Sequence, residues 1–342
     1  MAKSAKLVAF PNPQMKTVVI RLKKPLLVLM AITGLFLAAS CASTAPAAAK
    51  DESVYLFTSF RNADQKFLRF LYSYDGYHWT NVPGTFLEAN VGAAGQLRDP
   101  SLARGPDGVF HLVWTTGWHD PKGFGYASSK DLIHWTDQKL IPVMANEPAT
   151  VNVWAPEIFY DSKGDQFIIV WASTIPGRFP DLLESHTNNH RLYFTTTRDF
   201  ETFAPAKLFW DPGFSAIDAF IAKDGERYVL VCKDNSRPNL NLRVAFGESP
   251  LGPWQNMSKP ITRKFTEGPC ALKVGQDWII YFDAYRENRY GAVRTRDFKT
   301  FTDISGEVFF PEGHKHGTAL KVPREILNGL LNRPGALSQT NL

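Results

Sequence analysis

A short phrase recurs five times along this chain: an acidic or turn-forming residue, a few further residues, then an aromatic. It reads Tyr74-Asp75-Gly76-Tyr77-His78-Trp79, Lys130-Asp131-Leu132-Ile133-His134-Trp135, Arg198-Asp199-Phe200-Glu201-Thr202-Phe203, Glu248-Ser249-Pro250-Leu251-Gly252-Pro253-Trp254 and Arg296-Asp297-Phe298-Lys299-Thr300-Phe301. The closing aromatics are 56, 68, 51 and 47 residues apart, the scale of a supersecondary unit that buries its apolar face only against its neighbours. Five such units close naturally into a ring.

Between these landmarks, short β-rich runs alternate with turn signals and helical periodicity is almost absent. Four stretches align. In each, a carboxylate (Asp99, Glu157, Asp218 or Glu267) leads a strand, and a glycine-containing turn follows. An aromatic (Phe110, Phe167, Tyr228 or Trp278) then opens a second strand 10 or 11 residues beyond the acid. This is a hairpin with an acid at its head. The second strands, running through Leu112, Ile169, Leu230 and Ile280, are apolar enough for sheets covered on both faces. A fifth leading strand, His316 to Val322, has no hairpin partner after it, and the missing partner is Val54 to Ser59 at the other end of the chain.

The expected fold is therefore all-β, a five-bladed β-propeller closed by pairing of N- and C-terminal strands in one blade. A β-sandwich gives no reason for a fivefold repeat whose halves lie at opposite termini. First strands line the channel of a propeller, so Asp99, Glu157, Asp218, Glu267 and His316 are expected to converge at one mouth. Carboxylates gathered in this way repel one another unless they hold a cation or do chemistry.

Ahead of the repeats, Lys16, Arg21, Lys23 and Lys24 precede an uncharged run from Leu26 to Ala39. That run is too short to span a bilayer but suits a secretory signal. Residues 1–41 read as this signal. Its end, Leu37-Ala38-Ala39-Ser40-Cys41, resembles a bacterial lipoprotein box with Cys41 as the lipidated residue. Residues 42–52 read as a tether and 53–342 as one propeller domain, with a helical turn near Ile326 to Leu331. Residues 1–41 hold six Lys or Arg and no acid, so beyond them 32 basic residues face 33 acidic ones. The basic balance belongs to the signal, and nucleic acid loses its electrostatic support as a partner. An exported chain is expected, a cell-envelope lipoprotein or periplasmic protein of a bacterium, monomeric, touching membrane only through a lipid anchor. Cys232 and Cys270 sit among apolar neighbours and read as buried free thiols.

Two carboxylates facing each other across a pocket are what glycoside hydrolysis needs, one to protonate the departing oxygen and one to activate water or attack carbon. From Leu97 to Val322 the chain resembles glycoside hydrolase family 43, whose members are inverting five-bladed propellers. The motifs are Arg98-Asp99-Pro100-Ser101, Trp154-Ala155-Pro156-Glu157, Ile217-Asp218, Glu267-Gly268-Pro269 and His316-Gly317-Thr318. The resemblance implies Asp99 as general base, Asp218 as the group that tunes and orients the acid, and Glu267 as general acid. Glu157 departs from the Asp that often ends its motif, and is expected to touch substrate or support the pocket. His316 matches a histidine near a central ion or ordered water, so a structural calcium in the channel is the one cofactor to look for, and none is required for the reaction. Arg98, Trp118, Trp154, Tyr285 and Arg286 are the expected sugar contacts, whereas Trp79, Trp135 and Trp254 are expected in blade packing.

The substrate implied is an oligo- or polysaccharide side chain, with α-L-arabinofuranosidase or β-xylosidase activity first and β-galactofuranosidase or galactosidase activity as the alternative. The connection from Pro176 to Asn189 is expected to wall off one end of the cleft and favour removal of terminal sugars. Retaining fructan hydrolases share the Arg-Asp-Pro motif, but they also need an upstream Asn-Asp-Pro that this chain lacks. A phosphorylase would call for clustered basic residues beside Asp99, where the sequence offers Arg98 alone. A silent sugar-binding propeller is the rival from another class, and it has no need of three acids.

Overall fold

A computed structural model describes residues 53–119, 123–179 and 189–333. The residues read as a signal and a tether, Cys41 with them, Asp120 and most of the 176–189 connection lie outside the described residues.

The recurring phrase is a hydrogen-bonded turn with its own chemistry. In four copies a hydroxyl residue two places before the acid (Ser73, Ser129, Thr197 or Thr295) accepts the backbone N–H of the acid and of the residue after it. The acid's Oδ1 accepts the next two N–H groups: Asp75 from Tyr77 and His78, Asp131 from Ile133 and His134, Asp199 from Glu201 and Thr202, and Asp297 from Lys299 and Thr300. Backbone donors at a turn are satisfied locally. Despite some burial, the His134 ring contact at 2.7 Å, together with these hydrogen bonds, holds the Asp131 carboxyl down at about 2. The residue after the acid takes a left-handed conformation, φ +77° at Gly76, +63° at Leu132, +56° at Phe200 and +54° at Phe298. The last three side chains are fully buried. The fourth copy, at Ser249, keeps a hydroxyl turn without the Asp. Trp79 and Trp254 are buried in two separate inter-blade cores, and Trp135 is half-buried against a third.

Each turn joins the third and fourth strands of a blade. The first blade is Arg98–Arg104, Phe110–Thr115, Phe124–Ser129 and Lys139–Ile141, and the second is Trp154–Asp161, Gln166–Ser173, Arg191–Thr197 and Lys207–Trp210. The third comprises Ala216–Asp224, Arg227–Asp234 and Asn241–Gly247, with Gln255 bridging Phe246 in place of a fourth strand. The fourth is Glu267–Val274, Asp277–Ala284, Arg289–Thr295 and Thr302–Asp303. The closing blade pairs Ser53–Arg61 with Phe67–Ser73 on one side and with the C-terminal strands His314–Lys315 and Ala319–Pro323 on the other. This is the five-bladed propeller, closed as the split repeat requires.

Apolar faces are buried between blades. Leu102, Leu112 and Trp114 of the first blade share a core with Leu56 and Phe70 of the closing blade, while Val113 and Phe124 share another with Ile158 and Ile169 of the second. Ile168 and Val170 pack with Ile221 and Leu230 of the third blade, and Val231, Ile279, Phe57 and Trp79 carry one core from the third blade through the fourth to the closing blade. The helix at the C-terminal end is longer than the expected turn, running Arg324–Asn332 from Pro323 at its N-cap. Its Leu327 and Leu330, three residues apart on one face, are buried in the core between closing and first blades. Cys232 and Cys270 are free and buried, and burial pushes both thiols up.

Candidate active site

At the head of each of the first four blades the hairpin register slips by one residue. The slips lie between Arg98 and Ser101, opposite Val170 and Ala172, between Ile217 and Phe220, and between Glu267 and Cys270. The residues inside these bulges are left-handed: Asp99 at φ +48°, Ala155 at +45°, Asp218 at +54° and Gly268 at +57°. A bulge re-aims a side chain, and for Asp99, Ala155 and Asp218 it does so at a backbone cost of about 1 kcal/mol or more each.

This register corrects the sequence alignment of the acids. Cross-strand pairing puts Arg98, Trp154, Ile217 and Glu267 at one level, opposite Thr115, Ala172, Lys233 and Asp283 respectively. Asp99 and Asp218 share the bulge level with Gly268. Glu267 stands one residue earlier, and Glu157 two residues later than the bulge residue Ala155, level with Ser101. Residue counting failed for two reasons: Asp218 and Glu267 differ by one residue in their distance to the aromatic within hairpins of equal turn length, and the turns of the first two blades are longer. The chain between paired strand ends is 105–109 in the first blade, 162–165 in the second, 225–226 in the third and 275–276 in the fourth.

A cavity of about 660 Å³ at this mouth is lined by Asp99, Asp218, Glu267 and His316 together with Arg98, Trp118, Trp154, Tyr285 and Arg286. Every sequence-expected site residue within the described chain is therefore brought to one place, apart from Glu157. That carboxyl is buried beneath the floor, its Oε2 accepting from Ser101 Oγ at 2.6 Å and lying 3.3 Å from Thr318 Oγ1. Burial raises it to about 8 against the Ser101 and Thr318 hydroxyls and the charge of His316, which favours its protonated form.

Asp99 is held in the opposite state. Burial alone would raise its carboxyl, but the His316 contact, the Arg98 charge and the Thr115 hydroxyl outweigh this and keep it below the usual range. Thr115 Oγ1 donates to Asp99 Oδ2 at 2.8 Å, and His316 Nδ1 is 3.5 Å from Asp99 Oδ1. Asp218 is pushed up, first by burial and then by the Glu267 and Asp99 charges, against the pull of His316 and Lys233. Its Oδ2 accepts the Gly268 N–H at 2.9 Å. Gly268 has to be glycine: a Cβ there would stand 2.6 Å from His316 Cγ.

His316 is lifted to about 9. Burial opposes the imidazolium, and the Asp99 contact with the charges of Asp218, Asp99 and Glu157 overcomes it. A cation thus already lies among the channel acids. No three His, Cys, Asp or Glu side chains among the described residues converge to share an ion.

Sequence reasoning missed the second strands. Lys233 Nζ reaches Glu267 Oε2 at 2.8 Å and lies 4.8 Å from the Tyr285 ring centre. Lys315 Nζ pairs with Asp283 Oδ2 at 3.2 Å, and burial still raises Asp283 to about 6. The signal was present: Lys233 and Asp283 each follow directly on an apolar run, where a charged side chain at strand level is out of place unless it faces a polar site. On the other wall the Arg98 guanidinium is sandwiched 4.6 Å from the Phe60 ring and 4.3 Å from the Trp118 ring. Trp154 donates from Nε1 to the Trp118 carbonyl at 2.9 Å and meets the Trp118 ring edge-on. Trp118 remains 48% exposed, an apolar plate facing the cavity.

A curated α-L-arabinofuranosidase from Bifidobacterium longum subsp. longum is 25% identical over 222 residues, which cover 59% of this chain and 21% of that protein. The chain thus spans about a fifth of that relative's length. Among solved structures, a thermostable family-43 glycoside hydrolase superimposes with a TM-score of 0.50 at 15% identity, covering 67% of this chain and 80% of its own. An α-L-arabinofuranosidase from Lactobacillus brevis gives 0.48 at 17% identity, over 61% and 72%. The profile of a family related to glycoside hydrolase family 43, described as "Probable glycosyl hydrolase domain", matches residues 51–327, most of the propeller included. With that match and the five-bladed fold around a cleft of acids, the chain belongs to the family 43-related glycosyl hydrolases.

Proposed function

We propose that this protein is an inverting, exo-acting glycoside hydrolase that removes α-L-arabinofuranosyl or β-xylosyl units from polysaccharide side chains. The observation that carries the reading is the placement of Asp99 and Glu267 in non-adjacent blades of one cavity, with Asp218 between them in the ring. In the single displacement, Asp99 accepts a proton from water as the water oxygen bonds to the anomeric carbon. The glycosidic C–O bond breaks on the opposite face, and Glu267 gives its proton to the departing oxygen. Asp99 is ionised, as a base must be. Glu267 pairs with Lys233 through Oε2 as a carboxylate, so it takes up a proton before it acts as the acid, on Oε1, which has no hydrogen-bond partner among the described residues and faces the leaving group. Trp118 offers the face on which a sugar ring stacks. Export, with anchoring through lipidated Cys41, completes the proposal and fits a polymeric substrate met outside the cytoplasm.

The test is a panel of nitrophenyl glycosides with the product anomer followed by NMR. The expected result is turnover with inverted configuration, lost in Asp99→Ala and in Glu267→Gln, with glycan binding kept in the latter. Retained configuration, or activity that survives both substitutions, overturns the reading. Radiolabelled fatty acid incorporated by the native chain and not by Cys41→Ala tests the anchor.

A further inference from the structure

One wall of the cavity is far more basic than a neutral sugar requires. Arg237, Lys264 and Arg286 line it with Lys233 beneath, on the side where Glu267 stands. The three outer cations come from three separate loops, and the fold draws those loops together. Leu240 O accepts the N–H of Phe265 at 2.8 Å and that of Thr266 at 3.4 Å, which ties the loop carrying Arg237 to the segment carrying Lys264. The Arg286 guanidinium lies 3.6 Å from the centre of the Phe265 ring and the Lys264 ammonium 5.6 Å from it, while Tyr285 meets the same ring edge-on. Leu240 and Phe265 are both left-handed, at φ +52° and +69°, so the joint is held at some backbone cost.

Acidic partners are at hand and go elsewhere. Glu287 pairs with Arg263 and Arg289 at 2.8 Å each, and Asp234 with Arg243 at 3.0 Å. Arg237, Lys264 and Arg286 have no carboxylate partner among the described residues. Like charges crowded on one wall repel one another, and an anionic ligand relieves that repulsion. Guanidinium groups in particular suit carboxylate and sulfate oxygens through paired N–H donors.

We infer that this wall binds an anionic substituent on the glycan, a uronic acid carboxylate or a sulfate ester, on the side of the cavity where Glu267 protonates the departing oxygen. The side is named from the proposed catalytic roles and rests on that reading. The basic wall itself does not.

The experiment compares an oligosaccharide bearing a uronic acid, its carboxyl-reduced neutral counterpart and an O-sulfated counterpart. Binding is measured by calorimetry in the full chain carrying Asp99→Asn, on the opposite wall, and turnover in the unaltered chain. The acidic forms are expected to bind about tenfold or more tightly than the neutral one, the effect of one or two charge-assisted hydrogen bonds. That preference is expected to weaken with added salt and to vanish in Arg237→Gln/Lys264→Gln/Arg286→Gln, whose exposed positions leave the melting profile in place. Arg286→Gln alone should reduce it. A preference for the uronate or for the sulfate identifies which anion is read, and either supports the inference. Equal binding of all three, or a preference that survives the triple substitution, overturns it while leaving hydrolysis of neutral glycosides standing. Cleavage that depends on inorganic phosphate overturns it by assigning the wall to free phosphate. Acid-selective binding with no hydrolysis of any substrate supports the wall and overturns the hydrolase reading instead.

Discussion

Lys233 Nζ is bonded at 2.8 Å to Glu267 Oε2 across the joint of the third and fourth blades, with the lysine side chain 4% exposed and the glutamate 34% exposed. The pair is lopsided: one ion is fully desolvated while the other still reaches water. Burial opposes the ammonium, yet the Glu267 and Asp218 charges raise it above its ordinary value.

Removing either partner therefore has unequal consequences. Glu267→Gln leaves a buried ammonium without its ion pair and is expected to cost about 1–2 kcal/mol, discounted for the exposed end of the pair. Lys233→Met leaves a carboxylate that water can solvate, with a stability change within about 0.5 kcal/mol, but it frees Glu267 from its fixed orientation. A fall in kcat of about tenfold or more with a smaller change in KM is expected. Thermal melts and steady-state kinetics on the two variants check the contrast.

Gly268→Ala should damage both fold and site. The new Cβ meets His316 at 2.6 Å from Cγ on a backbone at φ +57°, and the Gly268 N–H that holds Asp218 is displaced with it. A loss of about 1–3 kcal/mol in stability, with activity down by at least about a hundredfold, is expected from melts and kinetics. Unchanged activity would show that the Asp218 contact is dispensable.

Stability should decline from mildly acidic to alkaline pH. Glu157, ordinarily near 4.5 and raised to about 8, keeps its proton in the fold after the unfolded chain has lost it, so stability falls as pH rises through that interval. His316 is ordinarily near 6.5 and raised to about 9, so its contribution is complete below 6.5 and disappears as pH climbs through about 9. Both slopes have the same sign. Melting temperatures measured from pH 5 to pH 9.5 should drop by several degrees, and Glu157→Gln should flatten the part below about 8.

How much of this was legible in the sequence depends on what sets each feature. The blade count was legible because a Ser/Thr-x-Asp turn must spend a hydroxyl and a carboxylate on its own backbone, which marks four blades at Asp75, Asp131, Asp199 and Asp297, and the hydroxyl turn at Ser249 marks the fifth. Asp99, Asp218 and Glu267 were legible as acids heading strands. Their relative heights were not: Asp218 and Glu267 differ by a single residue, 10 against 11, in their distance to the aromatic in otherwise matching hairpins, and longer turns shift the count in the first two blades. Lys233 and Thr115 act from the second strand, and which residue opposes them is fixed only once the register is known.

Ring closure gives a further prediction. Thr58 donates its N–H to Thr318 O at 3.0 Å and accepts the Thr318 N–H on Oγ1 at 2.8 Å, and a Cβ on Gly317 would stand 1.7 Å from Thr58 O. Gly317→Ala is expected to prise the closing strands apart, with a loss of about 3 kcal/mol or more and faster exchange of the Thr58 and Thr318 amides. Hydrogen exchange followed by mass spectrometry reads this directly.

Thr58 and Thr318 are 260 residues apart in the chain, and His316 arrives with the last strand. During synthesis the ribosome therefore releases four blades, complete with Asp99, Asp218 and Glu267, before the imidazolium that sits among those acids exists. Until then the channel carboxylates face one another without it, and the Ser53–Arg61 strand shows an unpaired edge. A chain terminated before His316 is consequently expected to expose the edge of the Ser53–Arg61 strand to proteolysis and to lack the imidazole that sits among its channel acids.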